Sequence, residues 1–307
     1  VEDVLADIAA AGLASPRHDG IRWGVVIDRP QTLVVDEINP RNSRDFRWSR
    51  AYPRRPDGFR VKFADRTDDY RTSERIVPWP GHDGDVVVTE AIEFPGVTDP
   101  DRIWAAARRR MREIDLRPDA YRVTQMGAAR VATRGDLVAL SHDVITRVVQ
   151  AGRVVRVDGA LVVVDEEIEI GAQWSARFRV FDAGDAVGRS VVATVLSPPG
   201  VGRAIRIGGG DRPEDGSIIT FGPTGSESIL CRIRGEERGE DGATIYHLVA
   251  AAPEIDALTD ADTPPAWDGR VGSAGPVDAP PPPAPISAAI AARVAATGAA
   301  GGVVITL

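Results

Sequence analysis

The stretch TDPDRIWAAARRRMREIDLRPDAYRVTQM at residues 98–126, followed by ATRGDLVALSHDV at 132–144, decides the fold. Asp99 suits an N-cap, because its carboxylate can accept from the free N–H groups of a first helical turn. Pro100 suits the first helical position, having no N–H to leave unsatisfied, and Asp101 lies at the positive end of the dipole. Ile103, Trp104, Ala107, Met111 and Ile114 recur at helical spacing as one apolar stripe, while Arg108, Arg109, Arg110 and Arg112 are expected mostly to face away. Pro118 stops the helix. Tyr121, Val123 and Gln125 then alternate with Arg122, Thr124 and Met126, the period of two that marks a strand. The spacing predicts a bracing helix at about 99–117, packed by one face beside strands, with Gly135 turning the chain into the next strand.

Outward from that stretch the chain reads mainly as strands. Val1, Leu5, Ile8 and Ala9 give a short amphipathic helix ending near Gly12. Strands are expected at 21–27, at 32–35, around Phe46 and Trp48, and around Phe59, Val61 and Phe63, where apolar and polar residues alternate. Residues 39–43 read as a loop, 65–75 as a polar surface loop, and 86–88 with 91–94 as strand again. Beyond the helix, 154–157 and 161–164 flank Asp158-Gly159, which predicts a hairpin with a type I′ turn. Further strands are expected at 175–181, 190–196, 205–207 and 218–221, and 229–233 is expected to pair with 244–249 across 236–242. From Asp260 onward, Pro264-Pro265 and Pro280-Pro281-Pro282-Pro283 read as a stiff connector.

A chain of 307 residues is longer than one core usually supports, so two or three domains are expected. Hydrophobic residues at 43% and charged residues at 27% suffice for a globular core. The formal net charge of -8 argues against general nucleic-acid binding. Lys62 is the only lysine, which reads as codon bias of a GC-rich genome, although arginine also holds carboxylates bidentately. Cys231 is the only cysteine, so neither a disulfide nor a thiolate cage can form within the chain. No apolar run reaches the ~20 residues of a membrane helix. Val303-Val304-Ile305-Thr306-Leu307 ends the chain within what reads as a strand, so the middle of a longer polypeptide is expected.

Each candidate for chemistry has a plainer reading. Gly208-Gly209-Gly210 lacks the Lys-Ser/Thr ending and the following helix of a phosphate cradle, so a flexible turn is expected. Asp165-Glu166-Glu167 and Glu169 alternate with Ile168 and Ile170, which fits a solvated strand edge better than a pair of hydrolytic carboxylates. His18, His82, His142 and His247 form no metal pair, and His142-Asp143 has no nucleophile elbow to serve. Ser226, Glu227 and Ser228 read as turn residues, and Cys231 as a buried structural thiol. The arginines at 108–112 read as a solvated face or as partners for carboxylates of a neighbouring subunit. Neither catalytic, cofactor-binding nor metal-binding residues are therefore expected, and aromatics at 6% make no base-stacking surface.

The order of the blocks VLADI at 4–8, VVIDRP at 25–30, VTDPD at 97–101, TRGDLVALSHDV at 133–144, GRVVRVDGALVVVDEEI at 152–168 and LCRIRGEERGEDGATIYHLVAAAPEID at 230–256 resembles the tail-tip attachment protein J family. These are the host-specificity, or central tail hub, proteins of long-tailed bacteriophages and gene transfer agents. The resemblance implies a β-rich α+β chain of hub domains at 1–132 and 133–256, the second a barrel or sandwich with inserted hairpins. A Pro-rich linker at 257–285 and the start of a fibronectin type III-like domain at 286–307 would follow. It further implies a virion structural role at the tail tip, closing the tail tube and carrying the receptor-binding fibre for host attachment and DNA delivery. The implied partners are two further copies in a homotrimer, the distal tail protein and other hub proteins, and the tape measure protein. A host outer-membrane receptor would be reached through regions outside this segment. No enzyme activity and no cofactor are implied. The helix at 100–116 is expected to brace the two β parts, and the loops at 39–44 and 208–216 to contact neighbours. The alternatives are a cell-wall hydrolase, or a carbohydrate-binding β protein, which would need exposed aromatics on one sheet face that Trp174 and Trp267 alone do not make.

Overall fold

The computed structural model describes residues 2–12, 14–18, 22–127, 132–145, 149–185 and 187–269. The chain opens with α1 (Glu2–Ala11) and the strands β1 (Ala14–His18) and β2 (Trp23–Ile27). β3 (Val34–Ile38), β4 (Ser43–Arg50), β5 (Gly58–Asp65), β6 (Arg71–Pro78) and β7 (Thr89–Glu93) follow. α2 (Pro100–Leu116) leads through β8 (Asp119–Gln125) to β9 (Leu137–Leu140). Next come β10 (Gln150–Asp158), β11 (Leu161–Ile170), β12 (Trp174–Val180), β13 (Arg189–Thr194), β14 (Gly200–Arg206) and β15 (Ile218–Pro223). β16 (Ile229–Arg238), β17 (Thr244–Ala250) and α3 (Glu254–Asp260) complete the described part. The chain is mainly β, as its alternation predicts.

A six-stranded main sheet runs β3-β9-β16-β17-β8-β4, antiparallel except for the β3–β9 pair. Its core face buries Ile38, Tyr121, Val123, Val138, Leu140, Cys231, Ile233, Tyr246 and Leu248. Three of its strands precede residue 132 and three follow it, so the expected boundary at 132/133 falls inside one sheet. The pairing of β16 with β17 is the one the sequence predicts, with Ile233 opposite Leu248 and Arg238 opposite Thr244.

The second six-stranded sheet, β13-β12-β15-β10-β11-β14, is inserted between β9 and β16. Its edge strands meet through the antiparallel bridge Val195↔Ile207, with Leu196 N–H donating to Arg206 O at 2.7 Å and Gly208 N–H to Thr194 O at 2.8 Å. These bonds join the two edge strands at one end and curl the sheet into a small, partly open barrel around Val162, Ile168, Phe178, Ile205, Ile219 and Phe221. The β10–β11 turn differs from the type I′ expectation. Asp158 pairs with Leu161, so Gly159 and Ala160 form the two-residue turn, and of these only Gly159 has positive φ (56°). Glycine at the first central position belongs to the II′ kind.

α2 covers the third sheet, β6-β5-β7. Ile103, Trp104, Ala107 and Met111 pack on Phe59, Val61, Phe63, Val77 and Trp79, as the apolar stripe predicts. Asp99 caps the helix, accepting from the N–H groups of Asp101 (2.9 Å) and Arg102 (3.2 Å).

Three expectations are corrected here. The surface loop at 65–75 is short, because β6 begins at Arg71 and Arg75 is only 3% exposed. Residues 86–88 lie outside the sheet, where the N–H groups of Val87 and Val88 donate to the Asp57 carboxylate at 3.0 and 2.7 Å. The connector expected from 257 is folded as far as it is described: Ile255 anchors α3, and Trp267 packs on Phe63 and donates to Asp65 at 2.6 Å. Its continuation from 270, and the fibronectin-like start at 286–307, lie outside the described residues.

Arg75 explains why that tail returns. Its guanidinium lies between the rings of Trp104 (5.2 Å) and Trp267 (5.3 Å) and donates to the carbonyls of Pro100 (2.7 Å) and Pro265 (2.6 Å). Trp104→Ala should therefore cost ~3–5 kcal/mol in urea unfolding, since it removes both an apolar anchor and one face of that sandwich. A loss below about 1 kcal/mol would remove Trp104 from the core.

Candidate functional site

The residues singled out for chemistry are committed to structure. Around Gly208–Gly210 it is carbonyls that face a charge. Arg212 donates to the carbonyls of Gly159 (2.5 Å), Gly209 (3.0 Å) and Asp211 (2.6 Å), the reverse of the N–H polarity that a phosphate needs. His142 stacks on Phe46 with centroids 4.0 Å apart, and its Nδ1 lies 2.6 Å from Asp143. Burial holds its pKa below the ordinary value, opposed by Asp143. Burial alone pushes the Cys231 thiol up to about 12, so it is a core residue, as expected. Glu227 lies in the turn between β15 and β16 as expected, and is also buried, taking Arg177 at 2.9 Å and the Gly225 N–H at 2.9 Å.

In the acidic run at 165–169 the pairing of β11 with β10 has ended, at Val164, and Glu169 alone of the acids lies in a ladder, opposite Val201 of β14, so Glu166, Glu167 and Glu169 are solvated as expected. The register of β11 against β14 jumps between Val163 and Ile168, so Asp165, Glu166 and Glu167 bulge out of the ladder. Arg41 reaches this bulge from the turn between β3 and β4 and pairs with Asp165 and, at 2.7 Å, with Glu166. The 39–44 loop thus engages the barrel of its own chain.

Two more polar contacts join barrel and main sheet. Arg179 pairs with Asp36 at 3.3 Å, and Ser190 Oγ donates to Glu37 at 2.5 Å. Burial raises the Glu37 pKa from 4.5 to about 7, against the pull of Ser190, Arg177 and Arg179.

The arginine run of α2 does not face away. Arg108 and Arg112 both pair with Asp262, at 2.7 and 2.6 Å. Arg109 pairs with Asp28 (3.2 Å), Glu113 (3.4 Å) and Asp256. Arg110 alone of the four is largely exposed, pairing with Glu113 at 3.1 Å. Arg117 and Arg232 join Arg109 on the Asp28 carboxylate. The carboxylates expected from a neighbouring subunit come from the same chain, because α3 and the end of β2 fold against the helix. Desolvation lowers the pKa of both Arg117 and Arg232, opposed by nearby carboxylates that include Asp256. Sequence spacing could not expose this node, since Asp28, Arg117, Arg232 and Asp256 are far apart in the chain.

One apolar surface is left largely uncovered by the described residues, apart from the His18 ring 4.7 Å from that of Trp23. Trp23, Val25 and Ile27 point the same way from β2 and are 48%, 66% and 47% exposed. Ile8 and Leu33 are exposed as well.

No protein-family model matches the chain, and no curated protein matches it. Among solved structures, the tail protein from Neisseria meningitidis MC58 is similar over 72% of this chain, with 10% identity and a TM-score of 0.34. The match covers 53% of that protein, so the chain spans about half its length. At that level the likeness carries no argument of its own.

Two outcomes test this geometry. Asp28→Ala should cost about 3 kcal/mol in urea unfolding, because Arg109, Arg117 and Arg232 lose their shared carboxylate in a partly desolvated place. A loss within ~0.5 kcal/mol would make the node incidental. Glu37 holds a proton in the fold that the unfolded chain releases, so its contribution is complete below pH 4.5 and lost as pH rises through about 7. Glu37→Gln should flatten that slope, by ~3 kcal/mol at most, in melting curves taken across the window. An unchanged slope would assign the titration to another group.

Proposed function

We propose that this chain is a structural, non-catalytic part of the tail tip of a long-tailed phage or gene transfer agent, within the central hub that closes the tail tube. The observation that carries an assembly role is the apolar face of β2, where three alternate side chains are left to solvent in the isolated chain. Single exposed apolar residues are ordinary, but a strand face of them marks a contact surface. The order of the sequence blocks from 4–8 to 230–256 supports a tail hub in particular. In this reading the chain assembles as a homotrimer against the distal tail protein, other hub proteins and the tape measure protein. It carries the fibre that meets a host outer-membrane receptor through regions outside this segment, and it reads no nucleic-acid sequence.

The rival readings gain little from the side chains. Trp174 and Trp267 do not form a carbohydrate-binding face, since Trp174 is 4% exposed and Trp267 is bonded to Asp65. A hydrolase needs facing carboxylates, whereas Asp165 and Glu166 are paired with Arg41.

The test is immunogold labelling of intact particles from the source with an antibody raised against residues 133–256. Label confined to the tail end remote from the capsid is expected. Protein found free in cells or medium, with particles unlabelled, would overturn the assignment.

A further inference from the structure

We propose that the cleft between α2, the β1–β2 hairpin and the outer face of β16 binds an extended acidic segment of a partner protein. The proposal is independent of the tail assignment. The cleft, about 520 Å³, is lined by the guanidinium-bearing residues Arg110, Arg117, Arg134, Arg232 and Arg234. Only three carboxylate residues line it, Asp28, Glu90 and Glu113. Five against three leaves an excess of positive charge, on a chain whose formal net charge is -8.

The excess is only partly quenched within the chain, where Asp256 also acts on Arg117 and Arg232. Asp28 answers Arg117 and Arg232, and Glu113 answers Arg110. Among the described residues Arg134 has one long side-chain bond, to the Pro16 carbonyl at 3.3 Å, and no carboxylate. Arg234 is exposed and makes no hydrogen bond or ion pair among the described residues. Arg134 and Arg234, two forked donors with capacity to spare at one cleft, suit carboxylates, which guanidinium binds bidentately.

Shape and polarity narrow the occupant. A lone anion would fill one corner of a space this size, whereas the apolar walls at Ile114 and Val249 can cover side-chain stems. The cleft shares Arg234 and Val249 with a neighbouring depression, where Arg47 and Arg122 continue the basic track across β8 and β4. That path suits an extended segment. A nucleic-acid duplex fits worse: it carries a fixed charge every ~1.7 Å, so it would meet the three carboxylates as well, whereas a peptide segment can set neutral residues opposite them. Trp48 is the one indole along the path, and a row of stacked bases needs several rings.

The test titrates a fluorescein-labelled oligoglutamate into the chain and follows anisotropy, with oligothymidylate and inorganic phosphate as competitors. Saturable binding is expected, weakened roughly ten-fold by Arg234→Glu and by Arg134→Glu, and little changed by Arg203→Glu on the barrel. Arg203 is exposed and carries the same charge, so it reports general attraction, and melting curves establish that each variant is folded. Absence of saturable binding overturns the proposal. So does equal weakening by Arg203→Glu, or tighter binding of oligothymidylate or phosphate. Self-association that Arg234→Glu abolishes, without peptide binding, would assign the cleft to a second copy and overturn it too.

Discussion

The arrangement of hairpin, helix and main sheet depends on the carboxylate of Asp28. It ends β2 and receives Arg109 from α2, Arg117 from just beyond it and Arg232 from β16. Three guanidiniums on one acid would repel one another, and Asp256 and Glu113 complete the balance through Arg109. Such a node adds little net stability, because desolvating the charges offsets much of their attraction. What it supplies is position. Hairpin, α2, β16 and α3, which carries Asp256, satisfy their charges together only in this arrangement, and any slip of the hairpin leaves three cations without their acid. The β1–β2 hairpin is a two-stranded sheet, marginal by itself, and this anchor helps hold its apolar face outward.

The barrel is attached by different physics. It leaves the main sheet after Leu140 and returns at Ile229, and those two residues pair directly across β9 and β16. The ends of an 88-residue excursion, 141–228, are therefore already adjacent, so its length adds little closure entropy to the sheet. Its own core is apolar, while the junction is made of Arg41, Asp36, Arg179, Glu37 and Ser190. A polar junction lets each part bury its apolar surface separately, and then fixes their relation through directional contacts. Glu37 is the exception in cost: it is buried deeply enough to favour its neutral form while still bonded to Ser190.

Sequence reasoning recovered what is local. The cap at Asp99, the stripe from Ile103 to Met111 and the alternation of β5 depend on spacings of two to four residues, and they stand as predicted. β1 escaped because Ala14-Ser15-Pro16-Arg17-His18 has no alternation and holds a proline, acceptable only where a strand has a free edge. The arginines of α2 were misjudged for a related reason. Helical spacing separates the stripe from the other faces, but it cannot tell water from a carboxylate delivered more than a hundred residues later. The bulge at 165–167 hid in the same way: alternation continues through Glu167, Ile168 and Glu169, and only the partner strand reveals the register jump. The Arg-lined cleft was equally invisible, since it is assembled from the hairpin, α2, β16 and β17.

The near-absence of lysine, which composition alone suggests is a genomic bias, is put to structural use here. Arg75 touches two indole faces and donates to two proline carbonyls, a set of contacts that needs a flat cation with several fixed donors. Arg212 fans onto the carbonyls of Gly159, Gly209 and Asp211, and Arg41 divides itself between Asp165 and Glu166. An ammonium group has compact, tetrahedral donors and stronger hydration, so it could not span these partners without losing some of them. In a chain whose sheets are joined by polar contacts more than by a shared apolar core, the planar fork is what converts scattered carbonyls and carboxylates into rigid joints. The bias in composition and the architecture therefore meet at the same side chain.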